Sequence, residues 1–215
     1  MRSSLKITVG GRGSRLSQAQ VWEVQGELSK HHLVEFEPYW ITTTGDKDLT
    51  TSLRSLEKTD FFTREIDELQ LQGQFRISIH SAKDLPEPLR PGLTIVALTQ
   101  GVDSSDSLLF NIDPLPYGAI IGTSSQRREE NLRQWRSDLR CVDVRGNIDQ
   151  RIALVDEGKL DGLVIAEAAL IRLGLTHRRR MKIDGAIAQN QGRLAVIARE
   201  EDTEMRELFK CIDTR

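Results

Sequence analysis

The chain has 215 residues, of which 38% are hydrophobic and 29% charged, and its formal net charge is −2. That length suffices for one large domain or two small ones with a real core, and the balanced charge gives no overall attraction to nucleic acid or to a membrane. The two cysteines and four histidines show no spacing suited to zinc, so no metal site is predicted. Neither a signal-peptide core nor a membrane-length apolar run is present, which favours a reducing cytoplasm.

Short apolar, β-branched runs alternate with helical patterns along the chain. The predicted strands are residues 6–9, 39–44, 75–80, 93–98, 119–123, 141–144, 162–166 and 194–198. The predicted helices are residues 15–29, 63–72, 125–136, 147–157, 166–173 and 202–211. Such alternation favours an α/β fold with mostly parallel sheets.

Proline distribution suggests where the chain divides. All six prolines precede residue 117, and the second cluster, "DPLPYG", separates two strand–helix series. A domain boundary is therefore predicted near residue 100. Residues 44–60 are polar and lack periodicity, which predicts a long loop.

Two segments share one plan. "ITVGGRGSRLSQAQ" and "AIIGTSSQRREENL" each run from an apolar strand through glycine, small or hydroxyl residues and arginine into a helix. Each corner would place backbone N–H groups, hydroxyls and guanidinium groups at a helix N-terminus, an arrangement that suits an anion. Two such corners in two domains predict a cleft that holds a polyanionic ligand.

The two corners differ in how strongly they indicate binding. Arg12 and Ser14 of the first corner are, taken alone, best interpreted as a glycine-rich turn with an N-cap serine. In the second corner, cations in the first helical turn oppose the helix dipole, which favours an anionic ligand over a purely structural role. The candidate residues of the second corner are Thr123, Ser124, Ser125, Arg127 and Arg128.

Further basic residues follow two later strands. Arg145 directly follows the predicted strand 141–144, Gly146 and Asn147 turn the chain, and Arg151 lies one helical turn on. Paired guanidinium groups suit carboxylates because the fork is planar and bidentate, although a solvated basic turn explains the pattern equally well. Arg172, in an otherwise apolar helix end, is by itself best interpreted as a surface residue.

The stretch "HSAKDLP" ends another predicted strand with Ser81, Lys83 and Asp84. Alone, it is an ordinary charged turn. However, the arginine-rich corners also lie at carboxyl ends of strands, where open α/β sheets collect ligands. A carboxylate among so many cations is expected to stabilise a cationic intermediate or to move a proton.

Six motifs together resemble the porphobilinogen deaminase (hydroxymethylbilane synthase) family: "GRGSRLSQAQ", "TTTGDK", "HSAKDLP", "GTSSQRR", "VRGNIDQR" and "AALIRLGL", in the family's order over almost the whole chain. The resemblance implies an enzyme that joins four porphobilinogen units into a linear tetrapyrrole on the route to haem and releases ammonia at each step. It also implies two domains similar to periplasmic binding proteins, a dipyrromethane primer in the cleft between them, and small-molecule pyrrole polycarboxylates as partners.

The resemblance implies roles for individual residues. Asp84 matches the family's catalytic carboxylate, and Lys83 beside it is the second catalytic candidate. Gly146 and Asn147 match a backbone turn. The residues that match groups binding the acetate and propionate side chains are Lys83, Arg12, Ser14, Thr123, Ser124, Ser125, Arg127, Arg128, Arg145, Arg151 and Arg172. Ser81 joins them as a substrate-binding candidate.

The chain also departs from the family's pattern. "AIAQNQGRLAVIARE" resembles the segment that returns to domain 1, so domain 1 is predicted as residues 1–99 plus 200–215 and domain 2 as residues 100–199. The sequence ends about where a third domain would begin, as in the shortened chlamydial members. Cys211 comes too early to be the primer cysteine and Cys141 matches no such position, so a dipyrromethane, if bound, is expected without the usual third-domain thioether.

Two functions stay open on the sequence. The first is a transferase, supported by Asp84 among the arginines. The alternative is a non-catalytic two-domain binder of a pyrrole or another polycarboxylate. It is supported by the lack of a cysteine that matches the family's primer cysteine. Thr59, where the family usually has lysine, and Glu167, in place of a small residue, are unexplained departures, and the oligomeric state is not predicted.

Overall fold

The computed structural model of the chain describes residues 4–56 and 58–215. Two compact units are formed: unit 1 from Met1–Lys47, Lys58–Gly101 and Arg193–Arg215, and unit 2 from Asp48–Glu57 and Val102–Gly192. Among the described residues, no helix combines the length and the apolar character needed to cross a membrane.

The strands of the described chain are short and are shared between two sheets. In chain order they are β1 (Leu5–Arg12), β2 (Val34–Ile41), β3 (Ile77–Ser81), β4 (Leu93–Leu98), β5 (Asp106–Phe110), β6 (Ile120–Gly122), β7 (Arg140–Val142), β8 (Gly162–Ala166), β9 (Arg180–Ile183) and β10 (Leu194–Arg199).

The helices are α1 (Arg15–Ser29), α2 (Thr44–Lys47), α3 (Arg64–Leu71), α4 (Gln126–Trp135), α5 (Ile148–Asp156), α6 (Glu167–Arg172) and α7 (Thr203–Phe209). Short 3-10 helices span Leu53–Ser55, Ala82–Asp84 and Lys210–Ile212.

Unit 1 is built on a five-stranded sheet in the order β2-β1-β3-β10-β4. β1 runs parallel to β2 and to β3, whereas β10 is antiparallel to both β3 and β4. Ile7, Val9 and Val196 from the strands pack with Val24 of α1 and Phe209 of α7 in one buried cluster. The C-terminal helix α7 therefore belongs to the core of unit 1.

Unit 2 repeats this topology with its own sheet, in the order β7-β6-β8-β5-β9. β6 is parallel to β7 and β8, and β5 is antiparallel to both β8 and β9. Its core contains Leu108, Ile121, Leu132 and Val164, all buried. The β1–α1 and β6–α4 corners occupy equivalent places in the two sheets, which accounts for their similar sequences.

The sheets are mixed, which corrects the expectation of mostly parallel strands. Half of the strand pairings in each sheet are antiparallel, because β10 and β5 run against their neighbours. β5 and β9 were not predicted. β5, "DSLLF", is buried at every position and shows no alternation, and β9, "RMKI", is half charged, so neither has the pattern of a half-exposed strand.

The unit boundaries also differ from the predicted domain limits. β10 completes the sheet of unit 1, so the chain returns to that unit at Arg193 rather than near residue 200. Residues Asp48–Glu57 belong to unit 2 although both flanking segments belong to unit 1. The predicted loop 44–60 contains α2 and a 3-10 turn. Asp46 stabilises the start of α2, because its carboxylate accepts hydrogen bonds from the backbone N–H (3.0 Å) and Oγ1 (2.9 Å) of Thr43.

Candidate functional site

In unit 1 the carboxyl ends of two adjacent parallel strands carry the predicted residues. β1 ends at Arg12 and β3 ends at Ser81, so the residues that follow lie at one edge of the sheet. Gln20 Nε2 donates to Ser81 Oγ at 2.8 Å, which joins α1, the helix after β1, to the end of β3. Ser14 caps α1, since its Oγ accepts from Ser17 N at 3.3 Å, which is the role that the motif alone indicated. The ligand contact that the resemblance implies for Ser14 stays a prediction.

Arg12 is held by a carboxylate and a ring of its own unit. Its Nε donates to Asp46 Oδ1 at 3.0 Å, and its guanidinium lies 4.4 Å from the centre of the Phe62 ring. Burial would raise the pKa of Asp46, but the hydrogen bonds from Arg12 and Thr43 outweigh it and lower that pKa below its usual value. Asp46 was not singled out from the sequence, although it lies in the "TTTGDK" motif.

Asp84 lies at the end of the 3-10 turn Ala82–Asp84 that follows β3. Ala82 and Leu85, on either side, are buried at 4% and 6% exposure in a small apolar cluster, and Ala82 N donates to the Arg193 carbonyl at 3.0 Å. Lys83 is half-buried, whereas Asp84 is exposed. The turn is thus anchored at both ends while its carboxylate faces solvent.

His80 lies four residues before Asp84 but is buried in the unit 1 sheet. Its Nε2 lies 3.1 Å from Ser78 Oγ, which in turn donates to Gln70 Oε1 at 2.8 Å. Burial, with a smaller contribution from the charge of Arg12, lowers the pKa of His80 to about 4. At neutral pH the ring is therefore uncharged, and its role is structural, as a buried part of the unit 1 sheet.

Two hydroxyls of the second corner, those of Thr123 and Ser124, form hydrogen bonds within unit 2. Thr123 is buried, and its Oγ1 accepts from Ser125 N at 3.3 Å. Ser124 Oγ donates to the Val144 carbonyl and accepts from Val144 N at 3.1 Å, which joins the ends of β6 and β7. Ser125 precedes α4 without capping it through its side chain.

Arg127 and Arg128 converge on one buried carboxylate. Asp106 Oδ1 accepts from Arg128 Nε at 3.0 Å and Nη2 at 2.6 Å, and Oδ2 lies 2.8 Å from Arg127 Nη2. Gln191 adds its Nε2 to the same Oδ1 at 3.0 Å. Asp106 was not predicted. The sequence did contain one indication: Asp106 directly precedes the mostly apolar run "SLLF". An acid at the start of a buried strand needs a cation as its partner.

The "VRGNIDQR" motif forms a turn fastened to backbone carbonyls. Arg145 Nη2 donates to the Asp48 carbonyl at 2.5 Å, and Arg151 Nε donates to the Gly146 carbonyl at 2.8 Å. Gly146 has φ of 95°, and a Cβ there would lie 2.6 Å from Gln150 Oε1. Asn147 caps α5 in a reciprocal capping box with Gln150, as predicted for the start of that helix.

Arg172 and Glu167, both in α6, have separate partners within unit 2. Arg172 Nη2 donates to the Gly192 carbonyl at 2.8 Å. Glu167 is buried and accepts from Arg180 Nη2 at 2.6 Å and from Ser107 Oγ at 2.5 Å. The hydrogen bonds from Arg180 lower the pKa of Glu167, so this departure from the family pattern is a charged, paired group.

Each unit therefore gathers cations and hydroxyls at the carboxyl ends of its central strands, and unit 1 adds an exposed carboxylate. Guanidinium groups in fixed positions bind planar oxyanions, and an exposed carboxylate can stabilise a positive charge or accept a proton. Within each unit, donors of this kind suit carboxylate groups.

The chain matches known proteins over almost its full length. Residues 7–207 match the family model "Porphobilinogen deaminase, dipyromethane cofactor binding domain". The porphobilinogen deaminase of Desulforudis audaxviator is 38% identical over 97% of this chain and 70% of that protein. That of Syntrophomonas wolfei is 38% identical over 96% of this chain and 70% of that protein, and that of Synechococcus elongatus is 36% identical over 96% and 68%.

Solved structures show similarity of fold. An amino acid ABC transporter substrate-binding protein from Streptococcus pneumoniae has a TM-score of 0.55 at 12% identity, covering 96% of this chain and 86% of that one. An extracellular-binding protein of a probable amino-acid ABC transporter from Bacillus subtilis has a TM-score of 0.56 at 10% identity, covering 97% and 91%. The chain therefore belongs to the porphobilinogen deaminase family and has a two-domain α/β fold of the periplasmic-binding-protein type.

Proposed function

We propose that this chain is a transferase that deaminates porphobilinogen and condenses four units into hydroxymethylbilane, a linear tetrapyrrole. Membership of the family supports the activity. The observation that carries the proposal is Asp84, an exposed carboxylate on an anchored turn, at the sheet edge where Arg12 also lies. An exposed carboxylate would weaken a protein that only held polycarboxylates, because it repels their negative charge, whereas a buried carboxylate such as Asp106 is shielded from the ligand.

The donors of this chain fit a dipyrromethane cofactor. The fit rests on their chemistry, since guanidinium N–H groups and a backbone turn at strand ends suit the acetate and propionate groups of pyrroles. The residues proposed to hold such carboxylates are Arg12 and Lys83 in unit 1 and Ser125, Arg127, Arg128, Arg145, Arg151 and Arg172 in unit 2. When bound, the cofactor supplies the pyrrole terminus from which the product chain grows.

Hydroxyls that already bond within their own unit have a different role. Ser14, Ser81, Thr123 and Ser124 hold the corner loops through the contacts described above. We propose that these hydroxyls maintain the conformation of the binding corners, and that Gly146 and Asn147 do the same for the turn before α5. Their contribution to affinity is therefore indirect.

Asp84 is proposed to act on the charge that develops in the substrate. The aminomethyl C–N bond of porphobilinogen breaks with its electron pair leaving on nitrogen, ammonia departs from the protonated amine, and the pyrrole methylene carbon becomes cationic. A fixed carboxylate stabilises that cation. When the new carbon–carbon bond forms, the coupled ring carbon loses a proton, and Asp84 is proposed to accept it. Lys83, next to Asp84, is proposed to bind a substrate carboxylate.

The experiment is incubation of the purified chain with porphobilinogen, with and without added preformed dipyrromethane primer. We expect release of ammonia together with uroporphyrin after oxidation. Binding of porphobilinogen with neither product would overturn the transferase and leave the polycarboxylate binder. The intact mass of the protein after turnover shows whether the primer is covalently retained.

We also propose a cytoplasmic location. Both cysteines are free, Cys141 half-buried and Cys211 exposed, and an exposed free thiol is typical of reducing compartments.

A further inference from the structure

The Asp106 cluster of unit 2 holds more positive charge than its own stability requires. Asp106, Arg127 and Arg128 together carry one negative and two positive charges. A buried carboxylate needs a hydrogen-bonded cation to offset its loss of hydration, and Arg128 provides one through both Nε and Nη2. Arg127 is thus a second cation on a carboxylate that one guanidinium already balances.

Arg127 also has fixed partners, through an ion pair with Asp106 and hydrogen bonds to two other groups. Its Nη2 lies 2.8 Å from Asp106 Oδ2 and 3.4 Å from Gln191 Oε1, and its Nη1 donates to the Ala186 carbonyl at 2.5 Å. Gln191 is itself buried and donates to the Ser104 carbonyl at 2.7 Å. The Arg127 side chain keeps 20% of its surface exposed and Arg128 keeps 13%, against 2% for Asp106, so a ligand reaches the cations but not the carboxylate.

The cluster lies at the edge of the unit 2 sheet where the second corner ends. Asp106 begins β5, and because β5 is antiparallel to β8, Asp106 is opposite Ala166 at the carboxyl end of β8. β6 runs parallel to β8 and leads through Thr123 into α4, which carries both arginines. The surplus charge is therefore at the same edge as the other candidate groups of unit 2.

We propose that Asp106 is a positioning residue for substrate binding: it fixes Arg127 and Arg128 so that their remaining N–H groups meet a carboxylate of the pyrrole ligand without further ordering. The inference rests on the proposed function, which supplies that ligand. A free arginine side chain loses rotamer freedom when it binds, whereas one already held by Asp106 and Gln191 has lost that freedom on folding. Binding then neutralises the surplus charge of the cluster.

Substitution of Asp106 by asparagine separates positioning from net charge. The change raises the charge of the cluster by one, so electrostatic attraction alone would tighten binding of an anionic pyrrole. If Asp106 positions the arginines, the same variant binds more weakly. The two explanations therefore differ in the sign of the effect.

The test compares the wild-type chain and Asp106→Asn by calorimetric titration with porphobilinogen and by steady-state assay. We expect Kd and KM to rise about tenfold or more, the range for loss of charge-assisted hydrogen bonds, with kcat changed less than about threefold. Asp138→Asn is the matched control, because Asp138 pairs with Arg136 at 2.6 Å in the same unit but outside this cluster. It is expected to leave Kd and KM unchanged.

Gln191→Met provides a second variant if Asp106→Asn does not fold, because it removes the amide contacts without burying an unpaired charge. We expect Kd to rise about threefold. Unchanged or tighter binding by a folded Asp106→Asn or Gln191→Met would overturn the inference. Wild-type protein that binds porphobilinogen but releases no ammonia would overturn the proposed function alone, since the binding comparison still applies. Wild-type protein that does not bind porphobilinogen would overturn the inference as well.

Discussion

Nη2 of Arg54 lies 2.6 Å from Oε2 of Glu129, and this ion pair connects the segment Asp48–Glu57 to α4 within unit 2. The same segment contains Asp48, whose carbonyl accepts a hydrogen bond from Arg145. The pair thus helps to hold a segment that contacts one of the proposed ligand-binding arginines.

We expect Arg54 and Glu129 to be energetically coupled. Glu129 has 10% of its side chain exposed and Arg54 36%, so the interaction is only partly screened by solvent. A double-mutant cycle with Arg54→Gln and Glu129→Gln, followed by urea unfolding, should give a coupling free energy of about 1 kcal/mol. The exposed pair Lys210–Glu207 is the control and should give less than about 0.5 kcal/mol. Equal coupling in the two pairs would contradict the structure.

His80 should make the protein less stable in mild acid. Its folded pKa is about 4, below the usual value of 6.5, so between these values the unfolded chain binds a proton that the folded chain does not. The free energy of unfolding should therefore fall by about 3 kcal/mol through this residue as the pH drops from 6.5 to 4. The substitution His80→Gln should remove this part of the pH dependence, which urea unfolding between pH 6.5 and pH 4 would measure. An unchanged slope would show that the ring is hydrated or paired in the fold.

Asp67 should have the opposite effect in the same pH range. Burial raises its pKa from 3.8 to about 6, so the folded state favours the protonated form and loses stability as the pH rises through 6. Asp67→Asn should therefore be more stable than the wild type by about 2 kcal/mol at pH 7, with the gain disappearing near pH 4. A variant that is less stable at pH 7 would show that the carboxylate has a stabilising partner.

Substitution by alanine should change the free energy of unfolding in opposite directions at Gly10 and Gly26. A Cβ at Gly10 would lie 2.3 Å from the Phe75 ring, which is buried, so Gly10→Ala should lower the free energy of unfolding by about 1–3 kcal/mol. Gly26 is exposed in α1 with no neighbouring atom within 4 Å of a built Cβ, so Gly26→Ala should raise that free energy by about 0.5–1 kcal/mol. Urea unfolding of both variants measures the difference, and a tolerated Gly10→Ala would contradict the packing of β1 against Phe75.

The helices were largely predictable because their signals are local. α1 has the predicted bounds, and α5 begins after the predicted cap Asn147, with Ile152 and Val155 buried on one stripe. Such features depend on residues within a few positions of each other, so one sequence contains them.

The partners of the site residues were not predictable, because they lie far apart in the chain. Arg12 and Asp46 are 34 residues apart, and Gln191 and Asp106 are 85 apart. No periodicity links such pairs, because the tertiary fold rather than the local sequence spacing brings their side chains together. The sequence therefore predicted a set of candidate cations but not the carboxylates that hold them.

The central claim is that Asp84 carries the chemistry of porphobilinogen condensation, and Asp84→Asn tests it most directly. The substitution keeps size and hydrogen bonding but removes charge and basicity. Glu87→Gln is the matched control, since Glu87 is an exposed acid three residues on that pairs with Lys58. We predict that tetrapyrrole formation by folded Asp84→Asn falls by about a hundredfold or more while Glu87→Gln stays near the wild type. Undiminished product from Asp84→Asn, with an active wild type, would contradict the claim.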